Sequence, residues 1–430
     1  MDATHVVTVF LRNEGAVLLL RRSEEVGSYP GAWGAVAGHA EGDPESQALA
    51  EVEEETGLDA ESLTLADKGD QFEVTDPEID TRWVVHPFLF DCETRDVETN
   101  WETAEYEWVA PTAILDRETV PDLWVSYDRV RPRPDTIAAD TAHGSAVISI
   151  RALEVLRDEA KMAVVAAKGG EMDRVERVTA GDSTADLADL ARTLRDARPE
   201  MTALRNRVNR AMASVQDDPS PQSIHDASRE GIQRAVAADN EAARRAAQRL
   251  HETPVVTLSR SGTVQTALEA GDPTDIRVAE SRPGSEGVEV AERLAEAGKD
   301  VVLTGDANIP GVITGSAVVL VGADTVLPDG SVINKVGTRA TMLAAASTGA
   351  DRVVVCARDK IAPEAFELDA HERPSELYEG SAPIDVRNPV FERVPASLVD
   401  RIVTEDGALA PDDVASVAAE HRRLAAWDGE

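Results

Sequence analysis

Apolar and polar positions alternate with a period of two through His5–Leu11 and again through Ala16–Arg22. The polar Asn13-Glu14-Gly15 between them predicts a hairpin. Trp33–Ala37 reads as a third strand. From Pro44 to Thr56 the spacing becomes helical, and Gly57 stands where a C-terminal cap is expected. Arg82–Asp91 predicts a longer apolar strand and Glu107–Val109 another. Periodicity fades between Pro111 and Pro134, where Pro121, Pro132 and Pro134 punctuate a linker-like segment. Residues 135–250 are rich in alanine, leucine and arginine at helical spacing, Ala242–Leu250 being the clearest stretch. After Pro254, short β-branched runs return at Val255–Leu258, Ile276–Ala279, Val301–Leu303, Ala317–Val321 and Arg352–Ala357, most of them separated by helical patterns. That alternation predicts a parallel sheet with crossover helices, whose ligands sit beyond the carboxyl ends of the strands. No internal repeat is visible.

A chain of 430 residues calls for two or three domains, and 42% hydrophobic residues suffice for their cores. Acidic residues number 80 against 43 basic ones, a net charge of −37 spread along the chain. This predicts a solvated surface suited to concentrated salt, where self-repulsion is screened. It argues against direct nucleic-acid binding, which needs a basic face. The absence of a long apolar run argues against a membrane span. The first residues lack a basic and then apolar leader pattern, so a cytoplasmic protein is expected. Cys92 and Cys356 are the only cysteines and have no metal-ligand spacing.

Glu51, Glu54 and Glu55 lie at i, i+3 and i+4, on one face of the predicted helix and in its last turns, where the dipole is negative. Like charges at this spacing repel by roughly 0.2–0.5 kcal/mol per pair. A solvated acidic face tolerates this; a divalent cation held by carboxylate oxygens would offset it. Upstream stands Gly38-His39-Ala40-Glu41-Gly42-Asp43-Pro44-Glu45, and the helix carries Ala50-Glu51-Val52-Glu53-Glu54-Glu55-Thr56-Gly57-Leu58. With Pro30-Gly31-Ala32-Trp33-Gly34, these segments resemble the Nudix box. The resemblance implies an α/β/α sandwich that hydrolyses a nucleoside diphosphate linked to another group. It implies magnesium or manganese as cofactor, Glu51, Glu54 and Glu55 as metal ligands and catalytic residues, and Gly38 in the binding loop. Ala50 departs from the family pattern, which has an arginine there, and the loop is one or two residues short, leaving Asp43 or Glu45 as its acid. Trp83, His86 and Trp101 are candidates for a base or sugar pocket, although single aromatics are more often core. His39 is a candidate phosphate contact or simply a solvated side chain.

Farther along, several short motifs fall in order: Ala142-His143-Gly144-Ser145-Ala146, Ala197-Arg198-Pro199-Glu200-Met201, Thr257-Leu258-Ser259-Arg260-Ser261-Gly262-Thr263, Glu280-Ser281-Arg282-Pro283 and Val321-Gly322-Ala323-Asp324. Asp329 to Thr338, Asn388-Pro389-Val390-Phe391-Glu392 and Thr404-Glu405-Asp406-Gly407 follow. The Ser259–Thr263 segment lies between a predicted strand and helix, where backbone N–H groups can cradle an anion. Arg282 offers a fork for phosphate oxygens. Lys335 is one of only six lysines, and Asp324 ends an apolar strand, where a carboxylate is used, paired or a cap. Together the motifs resemble the superfamily of initiation factor 2B, ribose-1,5-bisphosphate isomerase and methylthioribose-1-phosphate isomerase, over roughly residues 135–430. The resemblance implies a sugar-phosphate or nucleoside monophosphate ligand held by Gly144, Ser145, Ser259, Ser261, Gly262, Glu280, Arg282, Asn334 and Lys335. Asp324 matches the catalytic aspartate of its isomerases. Ser259 stands at the isomerases' cysteine and Leu258 at the preceding histidine. A hydroxyl is a far poorer acid than a thiol, so binding without isomerisation is expected.

The combined expectation is an α/β protein. A Nudix sandwich occupies residues 1–115, a linker 116–134, a helical subdomain 135–250 and a Rossmann-like parallel-sheet subdomain 251–430. Its function is hydrolysis of a nucleotide or nucleotide-sugar substrate, with a homo-oligomer formed through the C-terminal part. The rival readings are a non-catalytic, ligand-sensing regulator related to initiation factor 2B subunits, and an isomerase coupled to the Nudix part.

Overall fold

The computed structural model describes residues 4–77, 80–140, 142–169, 183–368, 371–410 and 413–429. It divides into two compact units, residues 1–138, 150–193 and 217–232 in one and residues 139–149, 194–216 and 233–430 in the other.

The first unit is built on eight strands: β1 (Thr4–Asn13), β2 (Ala16–Arg22), β3 (Trp33–Gly34), β4 (Val36–His39), β5 (Leu63–Lys68), β6 (Phe72–Asp76), β7 (Thr81–Cys92) and β8 (Thr103–Val109). Their central order is β3-β2-β1-β7-β5, with β4 on β1, β6 on β7 and β8 on β2. β1 and β7 run parallel; the other pairs are antiparallel. The run read as one strand over Trp33–Ala37 is therefore two, because Trp33 and Gly34 pair with β2 while Val36–His39 pair with β1. Strands β5 and β6 are passed over in the sequence although Phe72-Glu73-Val74-Thr75 of β6 alternates buried and exposed residues; both are short, and β5 has no fully buried position.

Helix α1 (Pro44–Thr56) is defined at both ends by local chemistry. Asp43 caps it by accepting the Ser46 N–H at 3.0 Å, Pro44 starts it, and Gly57 at φ +71° closes it by donating to Glu53 O. Ala48 and Val52 of α1 pack with Val7, Val9, Leu18, Leu20, Phe88 and Phe90 on one sheet face. On the other face, Phe10, Leu19 and Leu89 meet Leu123, Trp124 and Tyr127 of α2 (Leu123–Asp128) and Met162 from a later helix. The alternating strand residues thus feed two cores, giving the α/β/α sandwich.

Helices α3 (Pro134–Ala139), α4 (Ser145–Ala167), α5 (Thr184–Asp196), α6 (Thr202–Ala213) and α7 (Pro221–Ala247) follow, and residues of α4, α5 and α7 are divided between the units. The second unit contains a seven-stranded sheet in the order β11-β10-β9-β12-β15-β17-β18. Its strands are β9 (Val255–Leu258), β10 (Ile276–Ala279), β11 (Val301–Thr304), β12 (Val318–Val321), β15 (Asp351–Val355), β17 (Arg401–Thr404) and β18 (Gly407–Leu409). All neighbours are parallel except β17 and β18. Strands β13 (Thr325–Val326), β14 (Val332–Lys335) and β16 (Phe391–Val394) make a small antiparallel sheet. One face of the large sheet packs on α7, α8 (Gly262–Ala270) and α9 (Glu286–Glu296). The other packs on α10 (Ile309–Val312), α11 (Thr338–Thr348) and α12 (Val414–Ala425). Among the described residues, no helix is long and apolar enough to cross a membrane.

Candidate functional site

In the first unit the glutamate face of α1 lies against the free edge of β4. The buried Glu55 accepts the Ala37 N–H at 3.2 Å. Glu51 accepts from Gln47 Nε2 at 2.9 Å, and its carboxylate covers Gly38 so closely that a Cβ there would fall 1.9 Å from Glu51 Cδ. Only glycine leaves room for the carboxylate at this position. Glu54 is exposed on the adjoining face. Burial pushes Glu55 up to about 8, opposed by the Ala37 hydrogen bond and reinforced by the nearby Glu102 and Glu51. Among the described residues, no three His, Cys, Asp or Glu side chains converge into a metal cage. Two carboxylates at one strand edge are nevertheless a hard-oxygen donor set, and magnesium is commonly held by one or two carboxylates plus substrate phosphates.

In the second unit, motifs far apart in sequence meet around the carboxyl ends of β9, β10 and β12. Ser259, at φ +62°, ends β9 and donates its N–H to Ser281 Oγ at 2.6 Å. Ser261 caps α8 through Val264 N, and Gly322 at the end of β12 admits it: a Cβ on Gly322 would lie 2.6 Å from Ser261 Oγ. Gly262 begins α8 and borders open space, as does Gly144. The Gly144 loop is held by Arg260 Nη2 donating to Ala142 O at 2.7 Å. Ser145 opens α4 with a buried hydroxyl that has no hydrogen-bond partner among the described residues. Asp306 accepts the N–H groups of Ser281 and Arg282 at 2.8 and 2.7 Å, so that loop's donors are already engaged. The Arg282 side chain is exposed, with Glu280 at 3.5 Å.

Asp324 follows β12 in a deep position that solvent still touches, and its N–H donates to Ile333 O. Burial raises its pKa, opposed by Lys360 and Lys335. Lys360 Nζ donates to the neighbouring Ala323 O at 2.7 Å. Lys335 is buried and donates to both oxygens of Glu286, at 2.7 and 2.8 Å, and to Pro283 O. Asn334 Nδ2 donates to Thr338 Oγ1 at 3.0 Å. The arrangement can hold an anionic, hydroxyl-bearing ligand between a helix start and two lysines, with one carboxylate able to exchange a proton.

Two family models match the chain. The initiation factor 2 subunit family model matches residues 141–411, well over half of the chain. The chain belongs to that family. Its N-terminal part, residues 2–130, matches the NUDIX domain model. A similar relative is the ribose 1,5-bisphosphate isomerase of Haloferax volcanii, 30% identical over 310 residues, covering 67% of this chain and 92% of that protein. Among solved structures, the translation initiation factor eIF-2B of Pyrococcus horikoshii OT3 superposes with a TM-score of 0.53 at 20% identity, over 68% of this chain and 98% of that one. The 5-methylthioribose 1-phosphate isomerase of the same organism gives 0.51 at 18% identity, over 74% and 90%. These two likenesses show the fold.

Within the Nudix domain, sequence reasoning passed over Glu102, which acts on Glu55 from a loop with no periodic signal. Within the initiation factor 2 subunit family domain it passed over Lys360 and Asp306. Lys360 belongs to the same scarce set of six lysines that singled out Lys335. Asp306 looked like one acid among 80 acidic residues.

Proposed function

We propose that the chain is a divalent-metal-dependent Nudix pyrophosphohydrolase whose second unit binds a sugar phosphate or nucleotide without isomerising it. The observation that supports the first half is the pair Glu51 and Glu55 at the Ala37–Gly38 edge. Glu55 is a buried carboxylate raised to about 8 beside two further carboxylates, which outweigh the nearby Arg22. Glu51, Glu54 and Glu55 would hold magnesium or manganese, and the bound cation supplies charge to phosphate oxygens and lowers the pKa of water. The residues themselves do the positioning: the Ala37 N–H fixes Glu55, Gln47 fixes Glu51, and Gly38 leaves space beside it.

For the second unit, the Ser145 hydroxyl, unpartnered among the described residues, the open Gly144 and the Asp324 carboxylate near Lys335 and Lys360 support a ligand with hydroxyls and an anionic group. Ser259 supports the absence of isomerisation, because its hydroxyl stands where the resembled isomerases carry a thiol. The same residue favours a second reading, a ligand-sensing regulator that assembles through this unit as a homo-oligomer.

The test is incubation in concentrated KCl with magnesium or manganese and a panel of nucleotide sugars, dinucleotides and nucleoside triphosphates, followed by phosphorus NMR. Turnover that disappears in Glu54→Gln is the expected result. Undiminished turnover in that variant refutes the metal-site assignment; no turnover by folded wild-type protein shifts the conclusion to the sensor.

A further inference from the structure

The turn after β10 gathers donors of the kind that bind phosphate, and carboxylates of the chain itself already take them up. A lysine has three N–H groups to give. Lys335 gives two to the carboxylate of Glu286, at 2.7 and 2.8 Å, and one to Pro283 O. The backbone N–H groups of Ser281 and Arg282 go to Asp306, and that of Gly284 goes to Glu376 at 2.9 Å. The Arg282 side chain lies 3.5 Å from Glu280, and Glu376 also holds Arg373 at 3.0 Å. Glu280, Glu286, Asp306 and Glu376 thus face Lys335, Arg282 and Arg373, so the turn is negative before any ligand arrives.

Glu286 is fixed in this position by the backbone. Gly284 at φ +97° and Ser285 at φ +60° fold the chain back on itself. A Cβ on Gly284 would consequently fall 2.7 Å from Glu286 Oε1. Gly287 lets the start of α9 press on the end of β10, where a Cβ would fall 1.8 Å from Ala279 O. As the first residue of α9, Glu286 also stands at the positive end of a helix dipole, which favours its charge. A phosphate approaching Lys335 would have to displace a carboxylate held by a buried ammonium and a helix start.

The starts of α4 and α8 differ. Gly144 and Gly262 border open space there, and the buried Ser145 hydroxyl has no partner among the described residues. One anionic group fits these helix starts. At the other end, the Glu286 oxygens keep lone pairs free to accept from hydroxyls. We propose that Glu286 is a specificity-determining residue that limits the second unit to ligands with a single phosphate. The ligand class is a sugar or nucleoside monophosphate whose far end carries hydroxyls, and a sugar bisphosphate is rejected by charge. This rests on the reading of the second unit as a sugar-phosphate site.

Isothermal titration calorimetry on the full chain tests it, in concentrated KCl with EDTA so that metal-dependent hydrolysis is silent. The probes are ribose 5-phosphate and ribose 1,5-bisphosphate. The bisphosphate is expected to bind at least about tenfold more weakly, since like charges brought together in a binding site are strongly disfavoured. Glu286→Gln is expected to bring the two within about threefold of each other by removing that charge. Glu289→Gln removes the same charge from an exposed pair with Arg260 and is expected to keep the wild-type ratio. Equal or tighter binding of the bisphosphate by the wild-type chain overturns the proposal, and this comparison decides it even if Glu286→Gln folds poorly. An unchanged ratio in folded Glu286→Gln, or an equal change in Glu289→Gln, overturns the role of Glu286. Binding of neither sugar phosphate refutes the ligand site itself and the selectivity with it, an outcome distinct from bisphosphate binding that refutes the selectivity alone.

Discussion

Replacing Arg131 by methionine tests whether the first unit depends on charges buried beneath its sheet. The Arg131 side chain is fully buried; Nε donates to Asp128 at 2.7 Å and Nη2 to Glu159 of α4 at 2.6 Å. Asp128 keeps a second cation, Arg133, at 3.1 Å. Methionine at position 131 therefore deprives one buried carboxylate, Glu159, of its hydrogen-bonded cation, leaving only the weaker influence of Arg133. Breaking a buried pair in this way costs about 3–5 kcal/mol. At a urea slope of about 2 kcal/mol/M, that lowers the unfolding midpoint by roughly 2 M. Tryptophan fluorescence is a suitable assay, because Trp33, Trp83, Trp101, Trp108 and Trp124 lie in this unit and only Trp427 in the other. The pair is enclosed, so the loss should persist in concentrated KCl, where surface pairs are screened. Burial already raises the Glu159 pKa despite Arg131, so the penalty should shrink as pH falls and the carboxylate takes up a proton. Arg131→Met combined with Glu159→Gln should recover much of the midpoint. A midpoint for Arg131→Met near the wild-type value, or strictly additive losses in the double variant, would refute the reasoning.

Gly38→Ala should lower the hydrolysis rate at least about tenfold, since displacing a positioned group by an ångström is costly, while the urea midpoint changes little, because the atoms nearest the added Cβ belong to the movable Glu51 carboxylate. Glu405→Gln tests a titration in the second unit. Burial pushes Glu405 up to about 7, opposed by the Arg358 N–H it accepts at 2.9 Å. The group holds its proton in the folded state where the unfolded chain has lost it, so it destabilises the fold progressively as pH rises from about 4.5 to 7. The glutamine variant should match wild type below that window and exceed it above, by at most about 3 kcal/mol before solvent screening is allowed for. Urea midpoints at pH 5 and pH 8, followed by near-ultraviolet circular dichroism, give the comparison; an equal difference at both pH values contradicts it.

Local rules determined much of this protein. The cap residues Asp43 and Gly57 bound α1 from within four residues of its ends, and the β-branched runs of the second unit marked β9, β10, β12 and β15 because parallel strands are buried on both faces. The spacing of Glu51, Glu54 and Glu55 placed them on one helix without any tertiary knowledge. Tertiary structure decided what those positions meet. That Glu55 is buried and Glu54 exposed depends on the edge of β4, and that Glu102 faces Glu55 depends on a loop without periodicity. The stretch between Pro111 and Pro134 lacks repeat because its helix α2 is six residues long, too short for a helical period to show, yet it supplies buried Trp124, Tyr127 and, just beyond, Arg131. Arg131 finds Glu159 across 28 residues and Arg12 finds Glu154 across 142. In a chain with 80 acidic residues no pattern of sequence singles out those partners. Only burial does, because removal from water is what turns an ordinary carboxylate into one that requires a particular arginine.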